Sequence, residues 1–228
     1  LSVNTKNQQL MADEGAVEML LNLLETPNEI IQRQAAKAIA NLSVNHGNKL
    51  KIGQIGGIAK LVALAGSNTL QVKIEAVAAL GNLAVNDFNE LEIVKQGALG
   101  QLASSAMLAA QHLQQARGKR DREMQNWEEL AAQCARCLRN LTVNPLNRSQ
   151  VTASGVVPAL KVFGQSHNER IAQQSSKALR NLSAASTSIS SQEGAVVGPN
   201  ARAGPREKPS ESKEETGPGE GKEKMTHK

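Results

Sequence analysis

The stretch Ala79-Leu80-Gly81-Asn82-Leu83-Ala84-Val85-Asn86 returns, lightly edited, along the chain. Upstream it reads Ala38-Ile39-Ala40-Asn41-Leu42-Ser43-Val44-Asn45. Downstream it reads Cys137-Leu138-Arg139-Asn140-Leu141-Thr142-Val143-Asn144, then Ala178-Leu179-Arg180-Asn181-Leu182-Ser183. The chain opens on Leu1-Ser2-Val3-Asn4, the tail of a further copy. The leucines at 1, 42, 83, 141 and 182 give steps of 41, 41, 58 and 41. A fixed period of that size is the signature of a helical solenoid, in which each unit buries its apolar face only against its neighbours.

A second landmark keeps step with the first. Gly15, Gly56, Gly97 and Gly155 each precede an apolar run. The Asn-to-Gly gap is 15 for Asn41–Gly56, Asn82–Gly97 and Asn140–Gly155. The Gly-to-Asn gap is 26 in three units and 43 between Gly97 and Asn140, so one insertion of 17 residues explains the irregular step. The insertion lies within Met107–Trp127 and contains Arg117-Gly118-Lys119-Arg120-Asp121-Arg122. Leu108–Ala116 reads as helix. A long second helix followed by a charged, mobile loop is therefore expected, dispensable for folding because loop length adds little closure entropy.

Each unit reads as three helices. The first is short, as in Asn48–Ile55, with Asn7, Asn48, Asn89 and Asn147 in one column where Asn is a good N-cap. The glycine ends that helix by taking a left-handed backbone. The second helix carries Val17, Ile58, Leu99 and Val157 in one column and Leu20, Leu61, Leu102 and Leu160 three residues on, a spacing that fits one helical face. The third and longest helix runs into the Asn-Leu motif. Before the asparagine lie the small residues Ala38, Ala79, Cys137 and Ala178, and after it Leu42, Leu83, Leu141 and Leu182. Small and large side chains recurring on one face are what a close-packed stack needs.

Composition narrows the class. Apolar volume comes from Leu, Val, Ile and Ala, because the aromatics are only Trp127, Phe88 and Phe163. The formal charge is +5 and all of the excess lies on residues 1–185, a mild basic bias well short of a nucleic-acid-coating charge. No run of apolar residues is long enough to span a membrane. Two cysteines give no disulfide framework and point to a reducing, cytoplasmic or nuclear compartment. From about residue 198 the chain is Gly, Pro, Glu, Lys and Ser, too poor in apolar surface to order itself, and is expected to be disordered.

These columns resemble the armadillo repeat, whose units of about 40 residues place a Gly before the second helix and Ala-Leu-x-Asn-Leu-Ser at the end of the third. Ala178-Leu179-Arg180-Asn181-Leu182-Ser183 matches that signature fully, and Ala38–Ser43 and Ala79–Ala84 match closely. HEAT repeats lack this pairing of Gly and Asn. The resemblance covers residues 1–185 and implies an all-α, right-handed armadillo-repeat solenoid. It would hold four full repeats, the third carrying the insertion, with an N-terminal remnant of an earlier repeat. Residues 186–228 would hold a degenerate repeat start and the disordered tail. The opening on a motif tail leads us to expect a longer array.

The resemblance also implies a concave groove lined by the third helices, whose asparagines hydrogen-bond the backbone of an extended peptide. That role falls on Asn41, Asn82, Asn140 and Asn181; an amide offers a peptide bond both donor and acceptor. A structural role, tying neighbouring helices together, is the competing reading. One turn before these asparagines lie Lys37, Ala78, Arg136 and Lys177, where nuclear-import adaptors of the family carry Trp. Seven residues before lie Gln34, Glu75, Gln133 and Gln174. The stripe of Gln133, Gln174, Lys37, Arg136 and Lys177 beside the asparagines suits an extended peptide with acidic groups, and equally a solvated face.

Other signals favour plainer readings. Cys134-Ala135-Arg136-Cys137 lacks the second pair a metal site needs, and both cysteines fall in small-residue core columns. The Asn-x-Ser/Thr sequons at Asn41, Asn140, Asn147 and Asn181 are read as accidents of the repeat, since a glycan there would block packing. Arg117–Arg122 is read as a solvated loop rather than a localisation signal. His46, His112, His167 and His227 are scattered and no phosphate-binding glycine loop appears, so no enzyme and no cofactor is expected. The expected function is a protein–protein interaction scaffold for extended, acidic peptide segments, without nucleic acid or a membrane span. A nuclear-import cargo adaptor and the targeting arm of a ubiquitin ligase or kinesin are the alternatives.

Overall fold

The computed structural model describes residues 5–115 and 121–193, with side chains over 6–115 and 121–184. The described residues form twelve α-helices and no strand. Unit 1 is α1 (Thr5–Asp13), α2 (Ala16–Leu23) and α3 (Glu29–Leu42); unit 2 is α4 (His46–Gln54), α5 (Gly57–Ala65) and α6 (Leu70–Leu83). Unit 3 is α7 (Asp87–Lys95), α8 (Ala98–Gln115) and α9 (Arg122–Leu141); unit 4 is α10 (Pro145–Ala153), α11 (Val157–Gly164) and α12 (Glu169–Glu193). Residues Leu1–Gly194 make one compact unit. The expected remnant at 1–4, and the tail from residue 195 on, lie outside the described residues.

The four glycines behave as the spacing predicts, each with φ between 78° and 82°. A Cβ added at Gly15, Gly56, Gly97 or Gly155 would meet nothing within 4 Å. The requirement there is the left-handed backbone, not room.

The caps differ from the expectation by one column. Asn45, Asn86 and Asn144 are the N-caps of α4, α7 and α10, each with extended backbone and a side-chain oxygen accepting from the first turn. Asn48, Asn89 and Asn147 sit inside those helices and are buried. Asn48 donates through Nδ2 to the carbonyls of Gln8 (3.1 Å) and Leu42 (3.2 Å), Asn89 to Lys49 O (2.8 Å) and Asn147 to Leu141 O (3.2 Å). An apolar residue there would leave those buried carbonyls a donor short.

Third helices stack in one row, α3 on α6, α6 on α9 and α9 on α12. Second helices stack behind them, α5 on α8 and α8 on α11, with α1, α4 and α7 in a further row. Leu42, Leu83 and Leu141 are fully buried between rows, and truncating one to Ala costs about 2–5 kcal/mol. Cys134 and Cys137 are free thiols in this core, so the C-x-x-C is packing. Burial pushes the Cys137 thiol up to about 12 and that of Cys134 still higher.

The insertion is more structured than a loop. α8 runs to Gln115 as expected, but α9 also lengthens, starting 18 residues before Asn140 against 12 before the asparagine in α3 and α6. His112 and Trp127 stack across the resulting hairpin, ring centroids 3.8 Å apart, and Ala109, Ala110 and Met124 are buried. Asp121 caps α9, accepting from Met124 N at 2.8 Å. Residues 117–120 of the expected basic loop lie outside the described residues. α12 likewise continues past Ser183 to Glu193.

Candidate functional site

The row of third helices brings the four motif asparagines onto one face, and their side chains are already engaged. Asn82 donates through Nδ2 to Ala40 O and Asn140 to Gly81 O, each at 2.7 Å. Asn181 donates to Thr142 Oγ1 at 3.2 Å. Gln8 reaches into the same row and donates to Asn41 O at 2.8 Å. The amides of Asn82, Asn140 and Asn181 thus tie each unit to the one before it. Every such amide has a second N–H and further acceptor capacity. Asn41, Asn82 and Asn181 are half-buried and present it to solvent, whereas Asn140 is 4% exposed.

Arg136 is the centre of the face. Its guanidinium lies across the junction of units 2 and 3, with Nη2 2.9 Å from Ala78 O and Nη1 2.5 Å from Asn82 Oδ1. Gln133 Oε1 accepts from Nε at 3.1 Å and from Nη2 at 2.7 Å. The room comes from Gly81, where an added Cβ would sit 3.3 Å from Nη2. All three acceptors are neutral. Burial therefore lowers the Arg136 pKa, while Cys137 and Glu129 oppose the fall and the cations Arg170 and Arg139 add to it.

The remaining charges alternate rather than forming a purely basic stripe. Glu129 pairs with Arg170 at 3.0 Å and accepts from Gln133 Nε2 at 2.5 Å. Burial raises the Glu75 pKa; Lys37 and Arg33 oppose the rise and Glu129 adds to it. Arg139 donates to Asn140 Oδ1, its Nε at 3.1 Å. Lys37 is exposed near Glu75, and Lys177 and Arg180 are exposed without an ion pair among the described residues. Gln174 is half-buried with an Oε1 that has no partner.

Sequence reasoning grouped Arg136, Gln133 and the asparagines correctly in space but missed Gly81, Glu129 and Arg170. Gly81 carried a visible signal, a glycine inside a helix where Gly is costly. The Glu129–Arg170 pair spans 41 residues, one period, and could have been read from the columns. Among the described residues no His, Cys, Asp and Glu cluster that could hold a metal is present, and no helix is long and apolar enough to cross a membrane.

Three-helix units stacked in register, with a polar face along the third helices, define an α-solenoid binding surface. Residues 4–44 match the family model of the Armadillo/beta-catenin-like repeat. Among solved structures, one engineered protein superposes with a TM-score of 0.67 at 25% identity, over 85% of this chain and 74% of that one. A second engineered protein gives 0.65 at 25% identity, over 80% of this chain. The chain spans only 41% of the length of that structure. A designed armadillo repeat protein in complex with the peptide (KR)4 matches in fold, with a TM-score of 0.51 at 20% identity over 79% of this chain and 87% of that one. No curated protein matches the chain in sequence. The chain is an all-α armadillo-repeat solenoid.

Proposed function

We propose that this chain is a non-catalytic interaction scaffold that holds an extended, acidic peptide segment along the face of α3, α6, α9 and α12. The observation that carries the reading is Arg136, a half-exposed guanidinium fixed across a unit junction by neutral acceptors only. A cation held this way keeps its charge available to a carboxylate or phosphate, and charge-assisted bonds of that kind are the strong ones. Lys177 and Arg180 extend the positive character toward unit 4. Asn82 and Asn181, with amide capacity to spare beyond their inter-unit bonds, are placed to meet the ligand backbone. The (KR)4 ligand of the designed protein is basic; the cations at Lys37, Arg136 and Lys177, in place of aromatic side chains, favour the opposite charge here.

The test is selection on a peptide array, followed by titration of variants. Hits should be rich in Asp, Glu or phosphorylated residues and weaken as salt rises. The double reversal Lys177→Glu with Arg180→Glu should weaken them at least about tenfold, with the melting temperature unchanged because exposed charges contribute little to stability. Basic hits, or acidic hits indifferent to the reversal, would overturn the electrostatic reading. Hits indifferent also to Asn82→Ala and Asn181→Ala would move the site off this face.

A further inference from the structure

We propose that the side of unit 1 facing away from unit 2 is a docking surface for one further helical layer of the armadillo type. The evidence is a comparison along the repeat columns. Val72, Leu130 and Ile171 are fully buried, but Ile31 in the same column is 39% exposed. Leu64, Ser105 and Phe163 are buried, but Leu23 is 43% exposed. Ile52, Ile93 and Val151 are fully buried where Met11 is only half-buried, and Ala79, Cys137 and Ala178 where Ala38 is half-buried. These columns are closed in units 2 to 4 because a preceding unit lies against them. The shortfall runs across α1, α2 and α3 together, which is the footprint of a whole layer. Met19 and Ile30, exposed on the same unit, add to the apolar area.

The opposite end of the stack is built differently. Leu21, Val62 and Ala103 are buried in the column that faces the following unit, and unit 4 places the exposed Lys161 there. Ala36, Val77 and Ala135 are buried in another such column, where unit 4 has the exposed Ser176. Terminal repeats stay soluble by a polar outer face; unit 4 has one and unit 1 does not. A second copy stacked head to tail would press Lys161 and Ser176 onto Ile31 and Leu23, burying a charge without a partner. The occupant is therefore a layer with apolar side chains in those two columns, as units 1 to 3 have.

The probe is such a layer: a copy of residues 46–82 fused ahead of Leu1, so that Asn82 of the copy is followed by Leu1 as Asn82 is by Leu83. Helicity should rise by one unit. Amide hydrogen exchange in 17–23 and 31–38 should slow by about tenfold or more, and binding of an apolar dye to the native chain should fall. Ile31→Lys should cancel these gains in the fused chain and leave the melting temperature of the unfused chain unchanged. A copy that stays unfolded, a copy that folds without protecting α2 and α3, or gains that survive Ile31→Lys would each overturn the proposal. So would a native chain that sediments as a dimer and becomes monomeric on Ile31→Lys, which would make a second copy the occupant.

Discussion

Asn140 donates from Nδ2 to the backbone carbonyl of Gly81, 2.7 Å away on the neighbouring third helix. A helix-interior carbonyl already accepts one bond from within its own helix, so the side chain takes the second lone pair and pins one unit to the next. Asn82 repeats the arrangement on Ala40. The residue type that marks the repeat in sequence is thus also a mechanical link between repeats.

Replacing Asn140 with Ala should lower stability by about 1–3 kcal/mol, the cost of leaving buried polar groups unpaired. The exposed counterpart change, Asn181→Ala at the end of the row, should cost less, since Thr142 Oγ1 also donates to Arg139 O at 2.9 Å. Chemical denaturation of the two variants gives the comparison. Equal losses would mean that the bond to the backbone carbonyl carries no special weight.

Two helical glycines should respond oppositely to a methyl group. At Gly57 an added Cβ would lie 2.6 Å from Ile52 Cγ2 and 2.7 Å from the Ile52 carbonyl oxygen, a clash with backbone that cannot give way. At Gly81 it would meet only the Arg136 guanidinium, the far end of a flexible side chain. Gly57→Ala should destabilise by about 1–3 kcal/mol or more. Gly81→Ala gains about 0.5–1 kcal/mol of helix propensity and should leave the melting temperature nearly unchanged while weakening acidic peptides by displacing Arg136.

Glu90 should make stability fall as pH rises. It is buried, and burial raises its pKa above the ordinary 4.5, with the bond from Asn144 opposing the rise and Asp87 adding to it. Because the folded protein holds this proton more tightly than the unfolded chain, the stability gained is fully present below the ordinary value and is lost as pH climbs through the raised one. Glu90→Gln can keep an oxygen facing Asn144 without the charge. The variant should be more stable than the parent at pH 7, with the difference closing toward pH 4. A pH-independent difference would assign the effect to packing.

Trp127 is the single tryptophan of the chain, and its stacking on His112 makes it a reporter for the hairpin of unit 3. His112→Ala should shift Trp127 emission without unfolding the other units. Removing residues 109–124 should cost more than a surface loop would, because Ala109, Ala110 and Met124 are buried. A shortened chain that melts unchanged would return the segment to the status of a dispensable loop.

The repeat period, the glycine columns and the core leucines were legible because each follows from a local rule repeated four times. What was not legible depends on meetings between units. Asn45 rather than Asn48 caps α4, and only the contact of Asn48 with Gln8, 40 residues away, shows why both columns hold asparagine. The amides of the binding stripe look free in sequence and are partly engaged in space. The insertion was read as a loop because charged residues dominate its middle, while the stacking of His112 on Trp127 joins two helices that no periodicity links. Arg136 looked like an exposed charge, and only the missing side chain at Gly81 lets it lie down between units.

The two thiols offer the last prediction. Cys134 and Cys137 are fully buried, with both pKa values raised by desolvation, so almost no thiolate forms at neutral pH and neither sulfur is reachable in the native state. A thiol reagent at pH 8 should therefore label the folded chain only through opening, at a rate that follows the stability of units 2 to 4. Cys137→Ala should be well tolerated, since Ala38, Ala79 and Ala178 fill the same column. Cys137→Ser should be worse, because it buries a hydroxyl among apolar neighbours. Labelling rates measured on these variants against denaturant give a direct check. Fast labelling under native conditions, insensitive to low denaturant, would show that α9 separates from its neighbours without global unfolding, and the C-x-x-C would then be open to redox chemistry that its packing otherwise forbids.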